Sequence, residues 1–147
     1  MNNREKEFKN RLIPDLETAG LNVLDLKSGV LDLFIDSGKR LFVELKIANM
    51  HYKKRANKKG INLSTQTAIL KKMANLPIVL ACDDENIDRC YFVSPELLEK
   101  YKDKRISQKR QNGKPFDVRI GVDHLEDDGC MCNYIEMIRK VKNYVLS

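Results

Sequence analysis

Three residues in GVLDLFIDSGKRLFVELK (29–46) have the types and spacing that metal-assisted phosphodiester hydrolysis needs. They are Asp32, Glu44 and Lys46. In a strand, alternate side chains share a face. On the first strand Leu31, Leu33 and Ile35 then line a core, with Asp32, Phe34 and Asp36 opposite. On the second, Leu41, Val43, Leu45 and Ile47 line it, with Phe42, Glu44 and Lys46 opposite. A three-residue loop at Ser37–Lys39, with Gly38 at positive φ, pairs residue 32 with residue 44. Their Cβ atoms are then about 5 Å apart, and Lys46 lies one step further along.

Two carboxylates that close resist ionising together unless a cation sits between them. Hard oxygen donors with positions left for water and a phosphate suit Mg²⁺. Lys46 can neutralise a phosphate oxygen or help lower the pKa of an attacking water. Alternation alone also yields a hairpin whose outer face is merely solvated. Phe34 and Phe42 on that face weigh against this, because they imply a covered surface.

The elements that must hold these residues follow from periodicity. Phe8, Leu12, Leu16 and Ala19 predict a helix over 4–19, stopped by Gly20; Pro14 either kinks it or divides it in two. LNVLDL (21–26), VLDLFID (30–36) and RLFVELKIA (40–48) read as strands. The segment 51–60 reads as a basic loop. A helix over 64–75 follows, capped by Ser64 or Thr65. PIVLACD (77–83) and RCYFVS (89–94) are strands, and SPELLEKYK (94–102) opens a helix at Ser94. A basic stretch (102–114), the strand FDVRIGV (116–122) and a helix over 133–146 with Tyr134, Ile138, Val141 and Val145 on one face complete the chain. The order predicts an α/β (α+β) fold, a mixed β-sheet flanked by helices.

The 147 residues fit a single domain. Within it, 1–20 forms an N-terminal helical region that could carry a dimer contact, 21–129 a catalytic core, and 133–146 a closing helix. A hydrophobic fraction of 42% argues against disorder. The 27 basic against 21 acidic residues leave +6, which favours polyanionic partners. No apolar run approaches the roughly 20 residues a bilayer requires, and the N-terminus lacks a signal-peptide core; a cytoplasmic protein is expected. Cys130-x-Cys132 is not zinc-knuckle spacing, and Cys82 and Cys90 lie far away in sequence, so free, packed thiols are expected. His51 and His124 each stand alone.

Asp32 followed by Glu44-Leu45-Lys46 resembles the PD-(D/E)XK nuclease superfamily, with Leu31 where that pattern usually has Pro. ELKIAN, KGINLST, LPIVLA, RCYFVSPELLEKY and NGKPFDVRIGVDHLEDDG are similar, in order and spacing, to the small PvuII-type restriction endonucleases, over roughly 30–129. The basic loop 50–58 and a shorter helix at 65–75 depart from them. The resemblance implies a restriction-endonuclease-like sheet and a homodimer cutting double-stranded DNA at a short palindromic site to leave 5′-phosphates. It implies Mg²⁺, with Mn²⁺ able to substitute, bound by Asp32, Glu44 and the carbonyl of Leu45, and a DNA methyltransferase in the same system. Glu7 or Glu17 could complete the metal shell.

It also places base reading just after Ser64 and Thr65, where Gln66 and Thr67 stand instead of the family's histidines, and at Asn112 near Lys114. Gln can bond adenine bidentately; Gln66 could equally buttress its helix against Ile69 and Leu70. Tyr52, Lys53, Lys54, Arg55, Lys58 and Lys59 read as phosphate contacts or as a solvated loop, and Lys109 and Arg110 likewise. A structure-selective nuclease such as a Holliday-junction resolvase, and a non-catalytic DNA-binding module, are the competing readings.

Overall fold

The computed structural model describes residues 3–27, 31–50, 58–63, 73–104, 106–107 and 117–147. Helix α1 (Asn3–Thr18) buries Phe8, Leu12 and Leu16, four residues apart, and runs unbroken through Pro14. The proline removes one N–H donor on the exposed side, and the buried stripe holds the helix together across it. Gly20, at φ +94°, ends it. The Gly20 N–H donates to the Glu17 carbonyl and the Leu21 N–H to that of Leu16 at 3.1 Å, with Leu16 and Leu21 packed in one cluster.

Strand β1 (Val23–Asp25) pairs antiparallel with β2 (Leu33–Ser37), and β2 with β3 (Lys39–Met50). Gly38, at φ +73°, turns the hairpin, and pairing runs from Ser37↔Lys39 to Leu33↔Val43, the register the three-residue loop predicts. Strands β4 (Lys59–Asn62), β5 (Ile78–Asp83) and β6 (Cys90–Val93) follow, then α2 (Pro95–Lys104), β7 (Ile106–Ser107), β8 (Asp117–Gly121), α3 (Val122–Asp127), β9 (Met131–Cys132) and α4 (Tyr134–Leu146). The nine strands of the described residues form one mixed sheet in the order β7-β8-β4-β3-β5-β6-β9, with β2 also on β3 and β1 on β2. β5 runs parallel to β3, and each of its residues is buried, as a strand covered on both faces requires.

One face packs Leu33, Ile35, Val43, Leu45, Ile47 and Leu80 against α1 and α4. The other packs Val79, Ala81, Tyr91 and Val93 against Leu98 and Tyr101 of α2 and Leu125 of α3. Asn133 caps α4, its side chain accepting from the Glu136 N–H at 2.8 Å. The fold is therefore mixed α+β, a multi-stranded sheet with helices on both faces.

Several expectations need correction. The end of the supposed basic loop is strand: Lys59 and Gly60 open β4, which pairs with β3 and β8. The expected helix over 64–75 lies largely outside the described residues, and 73–75 is not helical. β7, β9 and α3 were not anticipated. The sheet lays Cys82, Cys90 and Cys132 side by side on adjacent strands, although their separation in sequence kept them apart. All four cysteines are free and buried. No helix among the described residues is long and apolar enough to cross a membrane.

Candidate functional site

β3 is bordered on one edge by β5 along Val43–Ala48. On its other edge β2 accompanies it as far as Val43, and β4 joins only at Asn49 and Met50. Between these two neighbours the sheet forks, and among the described residues no strand pairs with Glu44 to Ala48 on that edge. A bare stretch of edge leaves backbone groups to be satisfied by something else. Asp32 does this. Its N–H still reaches the Val43 carbonyl at 3.2 Å, but its Oδ2 accepts the Leu45 N–H at 2.8 Å. A side-chain carboxylate has replaced the missing strand. The N–H and C=O of one strand residue leave toward the same neighbour, so the Leu45 carbonyl also faces the fork.

Asp32, Glu44 and Lys46 thus converge at one place. Asp32 is 8% exposed and Glu44 4%. Lys46 Nζ stands 3.7 Å from Glu44 Oε1, long for a hydrogen bond, and Glu44 Oε2 is buried with no hydrogen-bond partner. Leaving such an atom unmatched costs about 1–3 kcal/mol or more. Burial pushes the Glu44 carboxyl up to about 9, the Asp32 charge adds to the rise, and Lys46 opposes it.

A fourth group belongs to this neighbourhood. Glu5, on the first turn of α1, has its carboxyl raised, chiefly by burial, while Lys46 pulls it down and Asp32 pushes it up. It is within electrostatic reach of both. Glu7 and Glu17, the residues the sequence singles out on this helix, are exposed. The available signal was the buried stripe itself: Glu5 precedes Phe8 by three, and so leans toward the covered side of α1.

These donors fit a hard divalent cation. An orphaned carboxylate oxygen, a second carboxylate and a main-chain carbonyl at the fork are all oxygen. Among the described residues no three His, Cys, Asp or Glu side chains converge as a complete ligand set. Among the described residues, Asp32 and Glu44 would be the carboxylate ligands, with positions left for water or a phosphate.

Ser64, Thr65, Gln66, Thr67, Asn112, Lys114, Lys53, Lys54 and Arg55 lie outside the described residues. Of the basic segment only its end can be placed. Lys58 is exposed, whereas Lys59 is engaged within the protein: its Nζ is 3.0 Å from Asp83 Oδ1, 3.1 Å from Asp84 Oδ1 and 3.4 Å from Glu85 Oε1. The Asp84 contact lacks hydrogen-bond geometry and is an ion pair only. Asp83 is 1% exposed. Burial works against its charge, but the Glu85 N–H and the Lys59 ammonium outweigh that and hold its carboxyl below the usual range. A phosphate contact by Lys59 is corrected accordingly; the lysine pins β4 to the end of β5.

No family model matches the sequence, and no curated protein matches it. Among solved structures the chain is similar to a bacterial homing endonuclease, I-Ssp6803I, at 14% identity and a TM-score of 0.45, over 79% of this chain and 71% of that one.

Proposed function

We propose that this chain is a Mg²⁺-dependent endodeoxyribonuclease of the PD-(D/E)XK kind, acting as a type II-like restriction endonuclease. The observation that carries the reading is the buried, unpartnered Oε2 of Glu44 beside Asp32, at a fork that also presents Lys46. A structural carboxylate this deeply buried would be expected to have its lone pairs satisfied. One kept bare is available to a ligand.

Asp32, Glu44 and the Leu45 carbonyl would hold the cation. When bound, Mg²⁺ supplies Lewis-acid polarisation of the scissile phosphate and a more acidic water. The Lys46 ammonium would donate a hydrogen bond to a non-bridging phosphate oxygen, countering the charge that builds in the transition state. Asp32 does double duty, since its bond to the Leu45 N–H fixes its orientation before any ligand arrives. Glu5 adds negative potential from α1 and so strengthens cation binding at a distance. A homodimer on a palindromic duplex, one subunit per strand, is the assembly this reading entails, together with a cognate methyltransferase.

The test is a digest of plasmid and of a four-way junction, with Mg²⁺ and with chelator, by wild type, Asp32→Ala and Lys46→Ala. Wild type should give discrete plasmid fragments only with Mg²⁺. Both variants should lose cleavage by at least about a hundredfold, as removal of one charge-stabilising group does, while still binding DNA. Cleavage at the wild-type rate by either variant, or metal-independent cutting, sinks the assignment. Selective junction cutting would replace restriction by structure-selective cleavage.

A further inference from the structure

Beside the carboxylates lies a row of apolar side chains that neither core uses. Leu24, Phe34 and Phe42 are direct partners across β1, β2 and β3. Alternation puts them on the face of Asp32, Glu44 and Lys46, two residues further along each strand. The two rings meet with centroids 5.1 Å apart at 56°. Leu24 is 51% exposed and Phe42 37%. Beyond the row, Asp36 and Arg40 form a solvent-exposed pair at 3.2 Å.

Two occupants are conceivable, and area and charge choose between them. The row offers on the order of 200 Å² of exposed side chain, against about 800 Å² per partner in a stable dimer. A second copy needs much more than this. Along β3 the same face reads Lys46, Glu44, Phe42, Arg40: cation, carboxylate, aromatic, cation, each about 7 Å from the next. Phosphates would meet the two cations, and Arg40 is free to exchange its exposed pairing with Asp36. Between them only something flat and apolar suits Phe42. In a stacked duplex the faces of the bases are hidden; an unpaired base exposes one.

We propose that Phe42, backed by Phe34 and Leu24, stacks on a base unstacked from the duplex beside the scissile phosphate, so that within its duplex site the enzyme favours a nucleotide that is unpaired or readily unpaired there. The proposal rests on the nuclease reading, because it takes Asp32 and Glu44 to mark the scissile position. It adds to the reading of base identity a determinant that reads pairing.

The test measures binding in Ca²⁺, to hold the complex uncut, using duplexes with and without one unpaired 2-aminopurine. Wild type should bind the unpaired form roughly tenfold more tightly and quench the probe. Phe42→Leu, which keeps the packing on Phe34 but has no π-face, should lose both effects, and Phe42→Trp should retain them. Equal affinity of wild type for the two duplexes overturns the proposal. So does an unaltered preference in Phe42→Leu. Cleavage in Mg²⁺ without a preference leaves the nuclease reading standing and removes this one; preference without cleavage of any DNA does the reverse.

Discussion

At the scale of single residues, Glu44 decides the behaviour of the metal-free protein. Its carboxyl lies at about 9 when folded, from burial first and Asp32 second, against about 4.3 in an unfolded chain. The folded state therefore holds a proton that the unfolded state has released across that interval. The contribution of Glu44 to stability is greatest below the unfolded value and falls as pH rises from about 4.5 toward 9. With chelator present, the melting temperature should decline over that range, and Glu44→Gln should flatten the decline. At pH 8 the glutamine variant should be the more stable by about 1 kcal/mol, or roughly 3–5 °C for a chain of this length. Thermal melts by circular dichroism measure this, and a glutamine variant that melts below wild type at pH 8 would show that Glu44 is satisfied in the free protein. The sequence made Asp32, Glu44 and Lys46 visible because strand alternation is short-range. The stripe of α1 puts Glu5 toward the covered side, but which sheet residues it approaches depends on how α1 crosses the sheet, and no local pattern encodes that.

At the scale of elements, the site exists because β2 leaves β3 at Val43 and β4 arrives only at Asn49. The position of β4 depends in turn on its other neighbour, β8. Gly60 leaves no room for a side chain between these two: a Cβ there would lie 2.7 Å from the Ile120 carbonyl oxygen, which is backbone and cannot swing away. Gly60→Ala should push β4 from β8, destabilise the fold by about 1–3 kcal/mol and widen the fork. Urea midpoints would record the first effect, and cleavage at a temperature where the variant remains folded the second. A variant with wild-type values in both would separate β4 from the construction of the site. Such a strand was not legible in the sequence. The core strands β3 and β5 announce themselves by apolar runs, but β4 is Lys-Gly-Ile-Asn and reads as the end of a basic loop. One of its two partners, β8, lies far away in the chain, as β6 does from β9, and β7 and β9 are only two residues long. Pro14 misled in the opposite sense: a local breaking signal lost to the buried stripe of α1.

At the scale of the whole molecule, the excess of +6 becomes informative once the charges already in use are set aside. Lys9 pairs with Asp25, Arg11 with Asp88 and stacks over Tyr134, and Lys59 holds three carboxylates. These fasten helices and strand ends together, and each is balanced locally, so they cannot account for attraction to a polyanion. Lys46 and Arg40 are paired as well, with Glu44 and Asp36, but the first contact is long and the second is exposed to solvent, so both can exchange their partner for a phosphate. Binding to duplex DNA in Ca²⁺ should weaken with salt, log K falling against log salt with a slope of about −0.9 for each phosphate neutralised. Lys46→Ala and Arg40→Ala should each reduce that slope by about 1, whatever the sequence bound. Phe42→Leu should shift the whole line to weaker binding at an unpaired base and leave its slope alone, because stacking releases no counterions. A slope near zero in wild type would detach the charge excess from DNA. A change of slope in Phe42→Leu would mean that the aromatic row holds a phosphate-binding surface in shape and does not itself meet a base.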